Sequence, residues 1–318
     1  MKIVILDGHT ANPGDLSWDE LKALGEVVVH PRTLPDQTIE RALDADAVLT
    51  NKVVLDARII DSLKTIKYIG VLATGTNVVD VPFASSKGIV VTNVPQYSTE
   101  SVVQNAFAHI LNLSSRFVDN AVAVRTGEWN NSADFSFSKG TIAELFGKTL
   151  GVVGFGTIGK RVAQVGLALG MRALVYGPRL APGRVVNGAL STSLNELLAE
   201  SDVVSLHCPL TEATRQMINE DRINSMKRGA FLINTGRGGL LDEAAVARAL
   251  RSGRLGGLGA DVLSSEPPTI DNPLIKAPNC FITPHNAWAS LEARTRLIKT
   301  ATDNLRAFIE GNPINVVK

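Results

Sequence analysis

The stretch that decides the fold is Leu150-Gly151-Val152-Val153-Gly154-Phe155-Gly156-Thr157-Ile158-Gly159. An apolar run typical of a buried parallel strand leads into G-x-G-x-x-G, and apolar residues at helical spacing follow. In this context Gly154 allows the tight turn, Gly156 lets the backbone approach a pyrophosphate, and Gly159 lets helix and strand pack closely. Free N–H groups at the helix start would bind the anion. The sequence therefore predicts a dinucleotide-binding turn.

Short apolar runs alternate with amphipathic stretches on both sides of this turn, which favours right-handed parallel βαβ units. We expect an α/β protein with two doubly wound domains. The strands predicted before the turn are Lys2–Leu6, Val27–Val29, Ala47–Thr50, Ile69–Leu72 and Ile89–Thr92. Those predicted from the turn onward are Thr149–Gly154, Ala173–Tyr176, Val203–His207, Phe231–Thr235, Leu258–Val262 and Phe281–Thr283.

A break in the pattern at Asn93–Tyr97 suggests the crossing from one domain to the next, because proline forces the residue before it into an extended conformation. One long helix is expected from Ser98 to about Thr126, and a last helix, about Leu291–Gly311, would return to the first domain. We therefore predict a discontinuous, flavodoxin-like substrate domain at 1–98 plus 288–318. A Rossmann-type NAD(P)-binding domain would occupy 99–287.

Composition excludes several classes of protein. Lys plus Arg total 32 and Asp plus Glu total 31, so no broad basic field suggests a nucleic-acid partner. No run of about 18 apolar residues suggests a membrane span, and the first residues are typical of a strand rather than a signal peptide. Cys208 and Cys280 have no metal-ligand spacing, so we expect no metal, no disulfide and reduced thiols in the cytoplasm.

The ribose end of the predicted cofactor site departs from the usual pattern. An acid is expected about 20 residues after the turn, where it would bind the ribose hydroxyls. That position holds Tyr176-Gly177-Pro178-Arg179 instead. A carboxylate would repel a 2′-phosphate, whereas Arg179 would attract one. Two interpretations stay open: NADP(H) is accepted or preferred, or NAD(H) is held by backbone contacts and the arginine is only solvated.

Three candidate reacting residues follow predicted strands, at the carboxyl ends where open α/β sheets bind ligands. Arg237 suits a substrate carboxylate, since its guanidinium binds in two places and stays charged. His285 suits proton transfer, because imidazole titrates near neutral pH. Glu266 would orient that ring and favour its protonated form. By contrast, His207 and Cys208 would point to opposite faces of one strand, so a thiol nucleophile is not expected.

The order GFGTIG, LHCPLT, NTGRGG, ADVLSSEPP and TPHNAW resembles the D-isomer-specific 2-hydroxyacid dehydrogenases over nearly the whole chain. Within that family, the stretches Leu6–Leu16, Thr50–Lys52 and Ala73–Asn77 resemble glycerate dehydrogenases, also called hydroxypyruvate reductases. The resemblance assigns catalysis to Arg237, Glu266 and His285. It assigns cofactor contacts to Gly154, Gly156, Thr157, Ile158, Gly159, Gly177, Arg179, Cys208, Pro209, Thr214, Thr235, Gly236 and Asp261. It assigns substrate contacts to Lys52, Thr74, Gly75, Arg237, His285 and Trp288.

The resemblance implies an NAD(P)-dependent oxidoreductase that transfers hydride between the nicotinamide and C2 of a small 2-hydroxy or 2-oxo acid, with His285 as the proton donor. It also implies a homodimer, for which Ser98–Thr141 is the candidate surface. Asp261 would lie near the nicotinamide amide. The alternatives are another 2-oxo acid or phosphite as substrate, or a nucleotide-gated, corepressor-like binding protein, because a fold alone does not settle function.

Overall fold

The computed structural model describes all 318 residues. The chain divides into two compact units, Met1–Ser98 with Ala289–Lys318, and Thr99–Trp288. Their assignment as a substrate domain and an NAD(P)-binding domain stays a prediction. No helix combines the length and the apolar character that crossing a membrane requires.

The first unit is built on five parallel strands in the order β2-β1-β3-β4-β5, which is the flavodoxin-like doubly wound order. The strands are β1 Lys2–Ile5, β2 Glu26–Val29, β3 Ala47–Thr50, β4 Tyr68–Val71 and β5 Val90–Thr92. The helices between them are short: α1 Gly8–Ala11, α2 Asp19–Lys22, α3 Thr38–Ala42, α4 Ala57–Ser62 and α5 Val81–Ser86. Both faces of the central strands are buried, which explains their continuous apolar runs.

The second unit carries an eight-stranded sheet in the order β13-β12-β11-β10-β6-β7-β9-β8, parallel except for β8. Its strands are β6 Thr149–Val153, β7 Arg172–Tyr176, β8 Val185–Val186, β9 Ala189–Ser191, β10 Val203–Leu206, β11 Ala230–Asn234, β12 Leu255–Ala260 and β13 Cys280–Ile282. Its helices are α6 Thr99–Ser115, α7 Phe117–Arg125, α8 Thr157–Ala168, α9 Leu194–Glu200, α10 Glu220–Ser225 and α11 Glu243–Arg251. The predicted α/β class with doubly wound sheets is confirmed.

The hairpin β8–β9 was not predicted, although it completes the Rossmann order, with β9 as the third strand beside β7. Its turn is Asn187-Gly188, and both residues have positive φ, 52° and 81°. Asn-Gly is the preferred pair for the tightest hairpin turn, so the signal was present in the sequence. The strands are only two and three residues long, too short to show alternation.

The single long helix expected from Ser98 to Thr126 is instead two helices, α6 and α7. Arg116 separates them because its backbone is left-handed, with φ 55°. Its guanidinium is held by the Asn279 side chain and lies 3.5 Å from Asp119 Oδ2. Contacts with a residue distant in sequence therefore stabilise a break that helical periodicity does not reveal.

Helix α6 lies unusually close to β12, whose sequence is Leu255-Gly256-Gly257-Leu258-Gly259-Ala260. A Cβ at Gly257 would lie 2.4 Å from Leu113 Cδ2, and one at Gly259 would lie 2.4 Å from His109 Cβ. Side chains at these two positions would push the helix away from the sheet. The glycines of β12 therefore fix the position of α6.

The last helix, α12 Leu291–Ile309, belongs to the first unit and packs beside β4. Arg294 is 8% exposed and binds Asp15 through both terminal guanidinium nitrogens, at 2.7 and 2.6 Å. The Asn304 amide donates to the Asn93 carbonyl at 2.9 Å. The C-terminal segment is thus an integral part of this unit's core and hydrogen-bond network.

Candidate active site

The glycine turn after β6 has the geometry that a pyrophosphate requires. Gly154 has φ 97°, and a Cβ there would lie 2.5 Å from the Cys208 backbone nitrogen. A Cβ at Gly159 would lie 2.0 Å from the Gly154 carbonyl oxygen, so helix and turn touch through bare backbone. A Cβ at Gly156, by contrast, would meet nothing within 4 Å. Gly156 caps α8 without a side-chain hydrogen bond, so an anion can reach the N–H groups of the first turn, at Thr157 and Ile158.

The loop that follows β7 carries the predicted ribose end of the site. Gly177 is buried, and a Cβ there would lie at an ordinary contact distance, 3.5 Å from Leu180 Cδ1. Arg179 is exposed. Ser191, the last residue of β9, fastens the loop by donating to the Ala181 carbonyl at 2.6 Å and accepting the Arg184 N–H at 3.0 Å. The unpredicted hairpin therefore shapes the loop that carries Arg179.

The turn after β11 presents Arg237. The buried Asn234 side chain folds this turn, because its amide donates to the Arg237 carbonyl at 2.9 Å and its oxygen accepts the Gly236 N–H at 3.1 Å. The Arg237 side chain is exposed and donates to the Gly236 carbonyl at 2.8 Å. The Thr235 hydroxyl is buried and has no partner within the protein. Buried polar groups are rarely left unpaired, so this hydroxyl indicates that a polar ligand belongs beside the turn.

Glu266 and His285 form a hydrogen-bonded pair. Glu266 Oε2 lies 2.5 Å from His285 Nδ1, and Oε1 accepts the Leu263 N–H at 3.0 Å. With Arg237 they line a cavity of about 190 Å³, whose walls include Leu210 and Leu263. A slightly larger cavity, about 210 Å³, lies around Asp202 and Lys227, which form an ion pair at 3.2 Å, but it contains no histidine. Three groups suited to binding a carboxylate and moving a proton thus share one cavity within the second unit.

Comparison with known proteins is consistent with this geometry. Residues 107–287 match the family model described as D-isomer specific 2-hydroxyacid dehydrogenase, NAD binding domain. A hydroxypyruvate reductase of Blautia hydrogenotrophica is 43% identical, over 100% of this chain and 99% of that protein. The chain belongs to the D-isomer-specific 2-hydroxyacid dehydrogenase family. It is therefore an oxidoreductase that uses a nicotinamide dinucleotide and acts on a small hydroxy or oxo acid.

Two further relatives support the membership. A glycerate dehydrogenase of Methylorubrum extorquens is 41% identical over 89% of this chain and 89% of that protein. The crystal structure of a protein from Thermus thermophilus, 36% identical, covers 100% of both chains with a TM-score of 0.88. Both the family and the fold predicted from the sequence are thus confirmed.

The structure also locates the remaining residues predicted by the family resemblance in the second unit. The Thr214 hydroxyl donates to the Pro209 carbonyl at 2.7 Å and closes the turn after β10. The Trp288 indole donates to the His285 carbonyl at 2.8 Å. Cys208 Sγ lies 3.6 Å from Met217 Sδ. Burial raises the pKa of the Cys208 thiol, as expected for a thiol that is not a nucleophile.

His207 does not pair with Cys208. The sequence predicted His207 inside a strand, but the residue follows the end of β10. Its Nε2 lies 2.8 Å from Ser205 Oγ. Burial lowers the pKa of His207 to about 4, so the ring is neutral at pH 7.

In the first unit, Asp7 builds the loop that carries Lys52. Its buried carboxylate accepts three successive backbone N–H groups, from Asn51 at 2.8 Å, Lys52 at 2.5 Å and Val53 at 3.2 Å. The Thr74 hydroxyl donates to the Val94 carbonyl at 2.9 Å, which anchors the segment that contains Gly75. The two predicted substrate loops of this unit are thus each held by a specific hydrogen bond network.

Sequence reasoning missed the residues that hold these loops in place. Glu243, at the start of α11, accepts the Ser264 N–H at 2.7 Å and the Asn272 amide at 2.8 Å, and so fastens the loop that bears Glu266. Asp7 and Asn234 were quoted only as parts of longer stretches. Asp7 follows an apolar strand and Asn234 ends one, and a polar residue in such a place is the one local signal that could have marked them. Their partners lie in other parts of the chain or depend on turn geometry.

Proposed function

We propose that this family member reduces hydroxypyruvate to glycerate and catalyses the reverse oxidation. The observation that carries the proposal is the Glu266–His285 pair in the cavity that also contains Arg237. The names of the two relatives above 40% identity support the choice of substrate.

A dinucleotide held at the Gly154–Gly159 turn would supply the hydride that reduces C2 of the oxo acid. Arg237 would bind the substrate carboxylate and polarise the carbonyl, since its charge is permanent and its nitrogens are arranged as a fork. His285 engages Glu266 through Nδ1, so Nε2 is the nitrogen that gives its proton to the carbonyl oxygen. The Glu266 carboxylate orients the ring through this hydrogen bond. In the oxidation direction, His285 takes the hydroxyl proton as a base.

The first unit is proposed to supply further substrate contacts. The backbone N–H groups of Thr74 and Gly75 would bind the carboxylate, and Lys52 would contact the rest of the acid, as would Trp288 of the second unit. This assignment rests on the family resemblance. The Asp7 network supports it for Lys52, because a buried carboxylate that organises a surface loop implies that the loop's shape matters.

We also propose that NADPH serves as a cofactor alongside NADH. Gly177 provides no carboxylate to repel a 2′-phosphate, and the exposed Arg179, two residues later in the same loop, would attract one. The Ser191 hydroxyl supports this interpretation, since it fastens the same loop at the Ala181 carbonyl, two residues after Arg179.

A second copy of the chain is the proposed partner. The candidate surface, Ser98–Thr141, exposes several large apolar side chains, among them Phe117 at 70%, Trp129 at 52% and Phe135 at 92%. Exposed clusters of this kind mark interfaces. Replacing Phe117 and Phe135 by glutamate should therefore halve the mass measured by light scattering at micromolar concentration. The same change at Leu34, exposed in the first unit, should leave the mass unchanged.

The activity is tested by following the absorbance of the reduced nicotinamide with purified protein. Hydroxypyruvate, glyoxylate and pyruvate are each paired with NADH and NADPH. The proposal predicts the highest kcat/KM with hydroxypyruvate. Faster turnover of glyoxylate or pyruvate would transfer the assignment to that acid. No turnover with any pair, together with tight cofactor binding, would contradict the proposal and favour a nucleotide-gated binding role.

A further inference from the structure

His285 has an unusual backbone that the structure holds with several hydrogen bonds. Its φ is 50°, a left-handed conformation that residues with side chains rarely adopt. Its N–H donates to the Asp261 carbonyl at 2.9 Å. The next two N–H groups, of Asn286 and Ala287, donate to the Asp261 carboxylate at 3.0 and 2.9 Å. One buried aspartate thus receives three successive N–H groups from the segment that aims the histidine.

Asp261 is itself held by Thr283. The Thr283 hydroxyl donates to Asp261 Oδ1 at 2.5 Å. A hydroxyl has a single hydrogen, so toward His109 Nε2, 3.4 Å away, Thr283 Oγ1 can only accept. This arrangement requires His109 to carry its proton on Nε2. Burial lowers the pKa of His109 to about 4, so the ring is neutral at pH 7, with one donating nitrogen.

His109 is fixed by the packing of α6. Its Cβ occupies the space that a side chain at residue 259 would take, because a Cβ on Gly259 would lie only 2.4 Å away. Two hydrogen bonds therefore connect α6 with the carboxylate that holds the His285 backbone: His109 donates to Thr283, and Thr283 donates to Asp261. The proposed chemistry uses neither His109 nor Thr283.

We propose that His109 and Thr283 are positioning residues that act through Asp261 to hold His285 in its left-handed conformation and so aim its ring. The proposal rests on the proposed function, since it concerns how the proton donor is held. The Asp261 carboxylate accepts hydrogen bonds from Thr283, Asn286 and Ala287, all within the segment that carries His285. The predicted contact between Asp261 and the nicotinamide amide stays a prediction.

The test compares Thr283→Val, which keeps the shape and removes the hydroxyl, with Thr283→Ser, which keeps the hydroxyl. A displacement of about 1 Å in a catalytic group can cost roughly 100-fold in rate, so the valine variant should lose about 10- to 100-fold in kcat. Its KM for hydroxypyruvate and its Kd for cofactor should stay unchanged. The serine variant should keep most of the wild-type kcat. Nitrogen NMR of the His109 ring should show the Nε2–H tautomer in the wild type and an altered signal in Thr283→Val.

Equal kcat in the valine and serine variants would overturn the inference, as would an Nδ1–H tautomer at His109. A loss of cofactor affinity in the valine variant without a change in kcat would also overturn it. His285→Ala, measured in parallel, separates the two proposals. If His285→Ala retains turnover, the proposed function fails. If His285→Ala is inactive while the Thr283 variants match each other, only the positioning role fails.

Discussion

Replacing Gly177 by aspartate should shift cofactor preference from NADPH toward NADH. The structure accommodates the change, because a Cβ at this position lies 3.5 Å from Leu180 Cδ1 and 3.8 Å from the Phe155 nitrogen, both ordinary contacts. The residue also avoids the left-handed region, so no backbone strain is expected. A lower melting temperature in this variant would therefore come from desolvation of the new carboxylate at a buried position, not from a steric clash.

The size of the shift follows from the chemistry of the new carboxylate. A hydrogen bond to a charged group contributes about 1.5–3 kcal/mol, and the same charge repels a 2′-phosphate. Because the neighbouring Pro178 and Arg179 are exposed, solvent screening favours the lower end of this range. The ratio of kcat/KM for NADH to that for NADPH should rise about 10-fold, since about 1.4 kcal/mol corresponds to one factor of ten.

The assay measures kcat/KM for both cofactors at saturating hydroxypyruvate. The matched control is Gly177→Asn, which has the same shape and no charge. Arg179→Ala should lower kcat/KM for NADPH and leave that for NADH unchanged. If the aspartate variant shifts the ratio no further than the asparagine variant, the charge argument is refuted.

Three other predictions concern the turn, the Lys52 loop and pH. Gly156→Ala should weaken cofactor binding and leave the thermal unfolding temperature nearly unchanged, because a Cβ there meets nothing within 4 Å. Gly159→Ala should impair both cofactor binding and thermal stability, because a Cβ there would lie 2.0 Å from the Gly154 carbonyl oxygen. Equal effects of the two variants would contradict this. Asp7→Asn should lower the free energy of urea unfolding by about 1–3 kcal/mol and raise KM for the oxo acid, since it replaces one of the two acceptor oxygens by an NH2 group; an unchanged midpoint would refute it. Burial lowers the pKa of His109 from 6.5 to about 4. As pH falls from 6.5 toward 4, the unfolded chain therefore takes up a proton on this ring before the folded chain does, and up to about 3 kcal/mol of stability should be lost. Urea unfolding of His109→Gln should show a shallower pH slope, and an unchanged slope would exclude the residue.

Much of the fold was predictable because the central strands are buried on both faces and therefore appear as apolar runs. The turn at Gly154 was predictable because its chemistry is local: three glycines between a strand and a helix. The hairpin at Asn187-Gly188 was missed since its strands are too short for a hydrophobic pattern. The break at Arg116 was missed because residues far along the chain stabilise it.

The side chains proposed to react could be predicted from the sequence, but those that hold them could not. Arg237, Glu266 and His285 stand in motifs at the ends of strands. Asn234 and Glu243 act through backbone N–H and carbonyl groups, and Thr283 acts through the Asp261 carboxylate; the positions of all these partners depend on the folded chain. A sequence shows which polar residues exist, whereas their partners become visible only once the loops are placed.

The most direct test of the proposed chemistry is the turnover of His285→Ala with hydroxypyruvate, measured together with its Kd for the reduced cofactor. Positioned acid–base groups contribute about 100- to 10,000-fold to rate, so kcat should decrease by a factor in that range. The Kd for the reduced cofactor should stay unchanged. Turnover close to that of the wild type, with intact cofactor binding, would contradict the role of His285 as proton donor and with it the proposed mechanism.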